Sequence, residues 1–504
     1  MTIRMVIVLG LSLYTTRIVL HELGISDYGI YNVVGGIVAM FTFLSNAMSN
    51  AIQRFYSYEI GKNDSLKIQA IYKTSLIVQF IIACIVLVSS EIIGTWYIDN
   101  KINIPISRIF AAKWILHFSI FSLIVIIFQA PYSALIIAKE RMNYYAIVSV
   151  INAVLSLLIA IALKFASADK LIIYGALFFI VQLISFFAYF FYCKKNFKEA
   201  RLTSGHDINL IKSLSSFSTW SLIGSFAWIL KDQGVNLILN IFYGPAVNAA
   251  RGIAVQVNGG VQSFVSNIGV SIRPQITQAY AQGNIQRTMS LTYSFSKLSC
   301  IMLYIFSLPL LLELDYVLEI WLGNTYPDHT KSFILIIVIT SFISNLNTAI
   351  SGVVHSSGKM KLYQISAASL NLLSIPFVYF FLKSGSSPEI GFIVIFLSMV
   401  IIQTSSLIIL KKIINYSIWE YTRNVIFPFL LTVIISIILP LIIHYLLPAG
   451  TLRFIIIIFL SLITISFSFY YLGCNSSERE LFRMMLNKVL CKSRQIINLM
   501  KLDH

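Results

Sequence analysis

Residues 111–137 run AAKWILHFSIFSLIVIIFQAPYSALII, and Lys139 and Arg141 follow within four positions. As an α-helix rising about 1.5 Å per residue, such a stretch exceeds the roughly 30 Å of a hydrocarbon core. Lipid offers the backbone no hydrogen-bond partner, so a helix that satisfies itself is the structure open to it. Similar stretches recur on both sides. By length and hydropathy there are about fourteen, at about 3–21, 28–50, 69–95, 111–137, 144–164, 170–192, 214–242, 248–272, 290–312, 332–354, 362–382, 390–410, 424–447 and 452–472. The chain is therefore expected to be an all-α, polytopic membrane protein. The expected division is an N-terminal six-helix bundle at 1–192, a hydrophilic cytoplasmic linker at 193–213, a second six-helix bundle at 214–410, two further helices at 411–473 and a basic tail at 474–504.

Composition agrees. With 58% hydrophobic and 11% charged residues and a mean hydropathy of +0.83 over 504 residues, too few charged side chains exist to cover a soluble surface. The net charge of +17 would suggest nucleic acid in a soluble protein. In a membrane protein it reports orientation, because Lys and Arg collect on cytoplasmic loops. With the N-terminus inside, about 26 of the 37 Lys and Arg fall on the cytoplasmic side. Both termini are then cytoplasmic. In the tail, Arg479, Arg483, Lys488, Lys492 and Arg494 alternate with Leu481, Phe482, Met485, Leu486 and Val489, a pattern suited to a basic amphipathic helix on an anionic leaflet. The first apolar run lacks a small-residue cleavage site and reads as a retained helix. Cys84, Cys193, Cys300, Cys474 and Cys491 are scattered without a CxxC pair, so neither a disulfide framework nor a metal site is expected.

A weak internal echo crosses the chain. Phe43, Ser45, Asn46, Gln53, Tyr58 and Gly61 correspond to Phe264, Ser266, Asn267, Gln275, Tyr280 and Gly283, about 222 residues apart with one insertion. Both copies close the second helix of a six-helix unit, as parallel repeats around a cavity would. No GxxxxGK[ST] loop, HExxH pair, GxSxG elbow or Cys/His cluster is present, so the parts for ATP-driven pumping and hydrolysis are missing. No enzyme activity, cofactor or metal is expected.

The chemistry then rests on ionisable groups in apolar spans, where a charge costs on the order of 2.5–3.5 kcal/mol on insertion scales. Arg17 lies about 20 Å along its helix from Arg4; it either faces a cavity or snorkels outward near His21 and Glu22. Lys231 and Asp232 sit mid-span, with Ser221, Ser225, Trp228 and Asp232 on one helical face. They form either part of a site or a structural ion pair. Arg251 either guards the outer end of the same cavity or anchors the interface. Arg54 and Arg273 end the second and eighth spans, where topology alone also accounts for them. Asn258, Gln262 and Ser266, and separately Ser344, Thr348, Ser351 and His355, form polar stripes that serve helix packing or a cavity. His117 and His444 read as isolated structural residues.

Several of these motifs resemble a family. Ser12-Leu13-Tyr14-Thr15-Thr16-Arg17-Ile18-Val19-Leu20, Leu23-Gly24, Asp27-Tyr28-Gly29-Ile30-Tyr31-Asn32-Val33-Val34-Gly35-Gly36, Gln53-Arg54-Phe55 and Glu59-Ile60-Gly61 resemble the Wzx-type O-antigen and polysaccharide flippases. These belong to the multidrug/oligosaccharidyl-lipid/polysaccharide (MOP) exporter superfamily. Arg273-Pro274-Gln275, Ala279-Tyr280 and Gly283-Asn284 resemble the second-half counterpart shared with its drug-exporting branch. The resemblance implies a MATE-like pair of pseudo-symmetric six-helix bundles in a V, plus two C-terminal helices. It implies translocation of undecaprenyl-pyrophosphate-linked oligosaccharide repeat units, for O-antigen or capsule, across the bacterial inner membrane by alternating access. By similarity to the cationic cavities of related flippases, Arg17, Arg54, Lys231 and Arg251 are the candidates to hold the pyrophosphate, whose lost hydration fixed cations replace. Asp232 is the candidate for coupling to H+ or Na+. The implied partners are the lipid-linked oligosaccharide, membrane lipids and a polysaccharide polymerase, with no nucleic acid. The alternative on the same fold is an ion-coupled multidrug or metabolite antiporter, which would favour acidic cavity residues. Met1 lies close to the first span, so a few residues of that helix are suspected to precede it.

Overall fold

Long apolar helices broken by short polar caps build the described part of the chain. The computed structural model describes residues 2–61, 64–139, 141–200, 208–323, 326–357, 360–414, 416–475 and 478–480. Among them the helices are α1 (Thr2–Ala39), α2 (Thr42–Gly61), α3 (Ser65–Asn100), α4 (Ile109–Ala138), α5 (Met142–Ala162), α6 (Lys170–Asn196), α7 (Ile208–Tyr243) and α8 (Pro245–Ala281). There follow α9 (Ile285–Leu312), α10 (Leu314–Leu322), α11 (Thr330–Ser356), α12 (Met360–Lys383), α13 (Ile390–Ile414), α14 (Ile418–Tyr421), α15 (Phe427–Leu446) and α16 (Thr451–Ser468). No strand occurs among the described residues. Ten of the described helical segments are long and apolar enough to cross a membrane. In the other four expected positions stand α1, α2, α7 and α8. The protein is a polytopic all-α membrane protein. The tail expected to form an amphipathic helix falls mostly outside the described residues.

Local chemistry sets the helix ends. Asp64 caps α3 by accepting from the Lys67 amide at 3.0 Å, and Asp169 caps α6 through the Leu171 amide at 3.0 Å, each satisfying a donor that the first turn leaves free. Gly283, at φ +73°, turns the chain after α8, and Asn284 then caps α9 through the Arg287 amide at 2.9 Å. That pair gives the Gly283-Asn284 motif its physical reason. Gly24, at φ 76°, breaks α1 in the same way. The expected second span, 28–50, instead divides at Met40 and Phe41 between α1 and α2. Hydropathy is blind to that break because both sides are apolar. Short, amphipathic α10 lies between the expected spans 290–312 and 332–354, where no helix was expected from the sequence.

The chain divides into two compact units. The first comprises Met1–Gly260, Leu318–Ile337 and Lys361–Ile402; the second comprises Val261–Val317, Val338–Met360 and Gln403–His504. In the first unit, one end of the helices packs around buried Tyr56, Tyr72, Tyr132 and Tyr189, with Tyr72 donating to Tyr132 at 3.2 Å. Outside the spans at that end, burial disfavours the Glu199 charge, but the Lys139 ammonium 2.8 Å away more than offsets it and lowers the carboxyl pKa. At the other end Arg108 bridges Asp27 and Asp169, reaching the latter at 2.7 Å. In the second unit, Tyr304, Phe469 and Ile465 form a core joining α9 to α16, with Phe342 and Phe429 packed on it.

Glycines let α1 approach α7 and α8 within the first unit. A Cβ on Gly36 would lie 2.6 Å from Gln233 Oε1, and one on Gly252 would lie 2.6 Å from Asn32 Oδ1. At Gly29 the obstacle is backbone, Pro245 O at 1.9 Å, which has no rotamer to yield. Gly29→Ala is accordingly expected to cost about 1–3 kcal/mol by overpacking. Thermal unfolding in detergent checks this against Gly10→Ala, where a Cβ meets nothing within 4 Å and the midpoint should be unchanged.

Candidate functional site

The polar groups of the first unit gather on α1, α7 and α8. Ser12 and Thr16 are one turn apart on α1 and both meet Gln256 of α8. Thr16 donates to Gln256 Oε1 at 2.6 Å, and Gln256 Nε2 donates to Ser12 O at 3.0 Å. Further along, Asn236 of α7 donates to Asn32 O of α1 at 3.3 Å, and Asn248 of α8 donates to Asn236 Oδ1 at 2.8 Å. This amide ladder holds the helices carrying three of the four candidate cations. Arg17, next to Thr16, is exposed; its Nη1 donates to Ile320 O at 2.9 Å. Trp321 fixes that carbonyl's helix by donating from Nε1 to Leu13 O at 2.7 Å. Among the described residues no carboxylate meets Arg17.

On α7 the charges pair differently from the simplest expectation. Lys231 and Asp232 are not an ion pair: adjacent helical residues do not face each other. Asp232 Oδ1 instead accepts from Arg251 Nη2 at 2.6 Å, and the same Nη2 donates to Asp232 O at 3.0 Å. Gln233 Nε2 donates to the second carboxylate oxygen at 2.8 Å. Arg251 is thus neutralised. Lys231 is 3% exposed, and among the described residues its ammonium has no hydrogen-bond or ion-pair partner. On the expected α7 face, Trp228 is exposed, Asp232 is half-buried, and the Ser221 side chain lies outside the described residues. The side chain of Arg54, on α2, lies outside them too.

The second unit holds another basic pocket, of about 320 Å³, where Arg273 and Thr277 of α8 meet Thr348, Ser351, His355 and Ser356 of α11. Thr277 Oγ1 and Ser356 Oγ are 2.9 Å apart across it. The sequence flagged Arg273 and the Thr348/Ser351/His355 stripe separately; only their packing shows them to share a wall.

Other charges are committed to structure. His117 and His444, read as isolated, are paired: His117 with Glu91 at 2.9 Å and His444 with Glu313 at 2.7 Å. Glu313 also takes Arg453 at 2.6 Å. Sequence reasoning overlooked Lys297, although a lysine inside the apolar stretch 290–312 was a signal in plain view. It is 1% exposed and bound to Glu478 at 2.5 Å and to Gly473 O at 3.1 Å. Among the described residues no group of three or more His, Cys, Asp or Glu is placed to hold a metal ion.

Comparison with solved structures sets this arrangement in context. The chain superposes on the lipid II flippase MurJ in an inward closed conformation with a TM-score of 0.68, covering 93% of this chain and 97% of that one at 12% identity. An inward-facing multidrug resistance MATE family transporter of the MOP superfamily matches with a TM-score of 0.66 over 80% of this chain and 94% of that one, at 12% identity. The fold is that of the MOP superfamily transporters. A third protein with the MOP fold, from Pyrococcus furiosus, matches with a TM-score of 0.59 over 82% of this chain and 94% of that one, at 13% identity. Its structure is described as having a binding pocket of reverse polarity that suggests a different function. No protein-family model matches the chain. Among curated proteins it is similar to the uncharacterized membrane protein EpsK of Bacillus subtilis (strain 168), at 20% identity over 328 residues. The chain spans 63% of the length of that relative.

Proposed function

We propose that this protein is a flippase of the Wzx type, carrying undecaprenyl-pyrophosphate-linked oligosaccharide repeat units for O-antigen or capsule across the bacterial inner membrane. One observation carries the reading: Lys231 is buried at mid-helix with no hydrogen bond or contact ion pair among the described residues, the Asp232 charge acting on it only from a distance. An isolated ammonium in such a setting is costly. An anionic cargo repays that cost by supplying the missing charge. Arg17, held among the described residues by the Ile320 carbonyl, would join Lys231 in gripping the diphosphate, and Arg54 and Arg251 would line its route. The lipid tail can stay in the bilayer while the diphosphate and sugars cross by alternating access. Both termini would be cytoplasmic, H+ or Na+ would drive the cycle, and a polymerase would take the product. The fold shared with a lipid II flippase supports a lipid-linked cargo. Against an antiporter for organic cations stands Asp232, whose charge is already met by Arg251.

The test uses proteoliposomes containing an undecaprenyl-diphosphate trisaccharide, with glycosidase access from outside reporting translocation. Protein-dependent exchange of the whole lipid pool is expected. Exchange limited to the protein-independent fraction, with uptake of ethidium instead, would replace this proposal with the antiporter.

A further inference from the structure

Four apolar helices of the first unit end at one place. Ser65 opens α3, Lys139 follows α4, Arg141 precedes α5 and Asn196 closes α6, and all four line a pocket of about 530 Å³ together with Lys198 and Glu199 of the turn after α6. Each of those helices is long and apolar enough to cross a membrane, so the pocket lies at the level of the lipid headgroups. We propose that it binds the headgroup of an anionic membrane phospholipid.

Positive charge is left over once the internal pairs are counted. Lys139 is held by Glu199 at 2.8 Å, and Asp64, which caps α3 beside Ser65, has Lys67 at 3.4 Å. Arg141 and Lys198 are exposed, and among the described residues neither has a hydrogen-bond or contact ion-pair partner. Two cations from separate connections therefore converge on one hollow. Packing fixes where they stand. Tyr144, whose amide donates to Arg141 O at 3.1 Å, stacks on Tyr192 with ring centroids 3.7 Å apart and donates from its hydroxyl to Ala188 O at 2.8 Å. The start of α5 is thereby tied to the end of α6. Beyond α6, Phe197 is buried and lies edge-on to Tyr192 at 5.9 Å, which seats the turn carrying Lys198. Membrane orientation needs basic residues near span ends but no shared pocket, so topology alone leaves this convergence unexplained.

The surroundings favour a lipid phosphate over a soluble one. α6 exposes Ile180, Ile184, Phe187 and Phe191, and α5 exposes Ile147, Ile151, Val154 and Leu158; spacings of four, three and four put each set on one helical face. Both faces meet the acyl chains and run toward the pocket. Leu66 and Met142, next in sequence to the lining residues Ser65 and Arg141, are 76% and 38% exposed. A phosphate held by Arg141 and Lys198 thus leaves its own acyl chains beside apolar side chains, which a soluble anion would leave uncovered. Charge narrows the headgroup further. A zwitterionic lipid brings an ammonium that the two cations repel, whereas an anionic one brings only the charge they lack. Binding here is independent of what the protein carries.

The test is native mass spectrometry of the full chain in detergent, titrated with phosphatidylglycerol or with phosphatidylcholine of the same acyl chains. Phosphatidylglycerol should bind more tightly. The double variant Arg141→Gln/Lys198→Gln should weaken it about 25-fold, at about fivefold for each cation removed, with the lipid-free unfolding temperature unchanged because neither side chain has a partner to lose. Lys411→Gln/Lys412→Gln removes the same charge from the exposed end of α13 and should leave the affinity as it was. Equal binding of the two lipids, or an equal loss in both double variants, would reduce the pocket to general surface charge and overturn the proposal. Displacement of phosphatidylglycerol by inorganic phosphate at constant ionic strength would make it a soluble-anion site, and a preference for undecaprenyl phosphate would make it part of the cargo's route; either result also overturns the proposal. Selective phosphatidylglycerol binding by a protein that fails the proteoliposome assay would sink the flippase and leave this site standing.

Discussion

Lys231→Met should lower translocation of the lipid-linked diphosphate by about 10- to 100-fold while leaving the protein as stable as before, or more so. The range follows from losing one charged hydrogen bond to the cargo, about 1.5–3 kcal/mol. The stability half of the expectation separates function from architecture. Were Lys231 half of a structural ion pair, its removal would strand a buried carboxylate and cost about 3–5 kcal/mol. Asp232 is instead served by Arg251 at 2.6 Å and Gln233 at 2.8 Å. Methionine keeps the stem's volume and removes the unpaired charge. Arg17→Ala should show the same separation with a smaller stability change, since the guanidinium is exposed and gives up one carbonyl bond. Translocation rate and unfolding midpoint, measured on the same preparations, decide it: two variants with wild-type flipping would remove both cations from the cargo's path.

How far the sequence carried this conclusion depends on the kind of fact. Span positions were legible because a 30 Å apolar slab writes its thickness into the chain as run length. The interruptions were not: Met40 and Phe41 are as apolar as their neighbours, and Gly24 breaks α1 through a backbone angle that hydropathy does not register. The unusual cations Arg17 and Lys231 were visible as charges where charges are costly. Their partners were not, because pairing is tertiary. Sequence adjacency suggested Lys231 with Asp232, and the helix's 100° step per residue sends them apart. Arg273 and His355, 82 positions apart by number, became one pocket wall only once α8 lay against α11.

Lys297 gives the sharpest contrast with Lys231, and the second large expected effect. Both are lysines buried in apolar helices, at 1% and 3% exposure, but Lys297 is fully provided for by Glu478 and Gly473 O. Glu478→Ala should therefore strand the ammonium inside α9 and destabilise the protein by about 3–5 kcal/mol. The change should also free the end of α16, because Glu478 holds Ser294 at 2.6 Å and the Asn475 amide at 2.8 Å. Buried Cys300 and Cys474 lie on the two segments so joined. Their reaction with a thiol-specific fluorophore, in a Cys84→Ser/Cys491→Ser background that removes the exposed thiol and the tail cysteine, reports the loss directly as a lower temperature of labelling. Adding Lys297→Met to Glu478→Ala should recover most of the deficit, since the double variant contains neither charge. A double variant as unstable as Glu478→Ala alone would show that the carboxylate matters for its bonds to Ser294 and Asn475 rather than for the lysine. The two lysines thus make opposite predictions from one principle: a buried cation with a protein partner is needed for folding, and one without is free to serve a ligand.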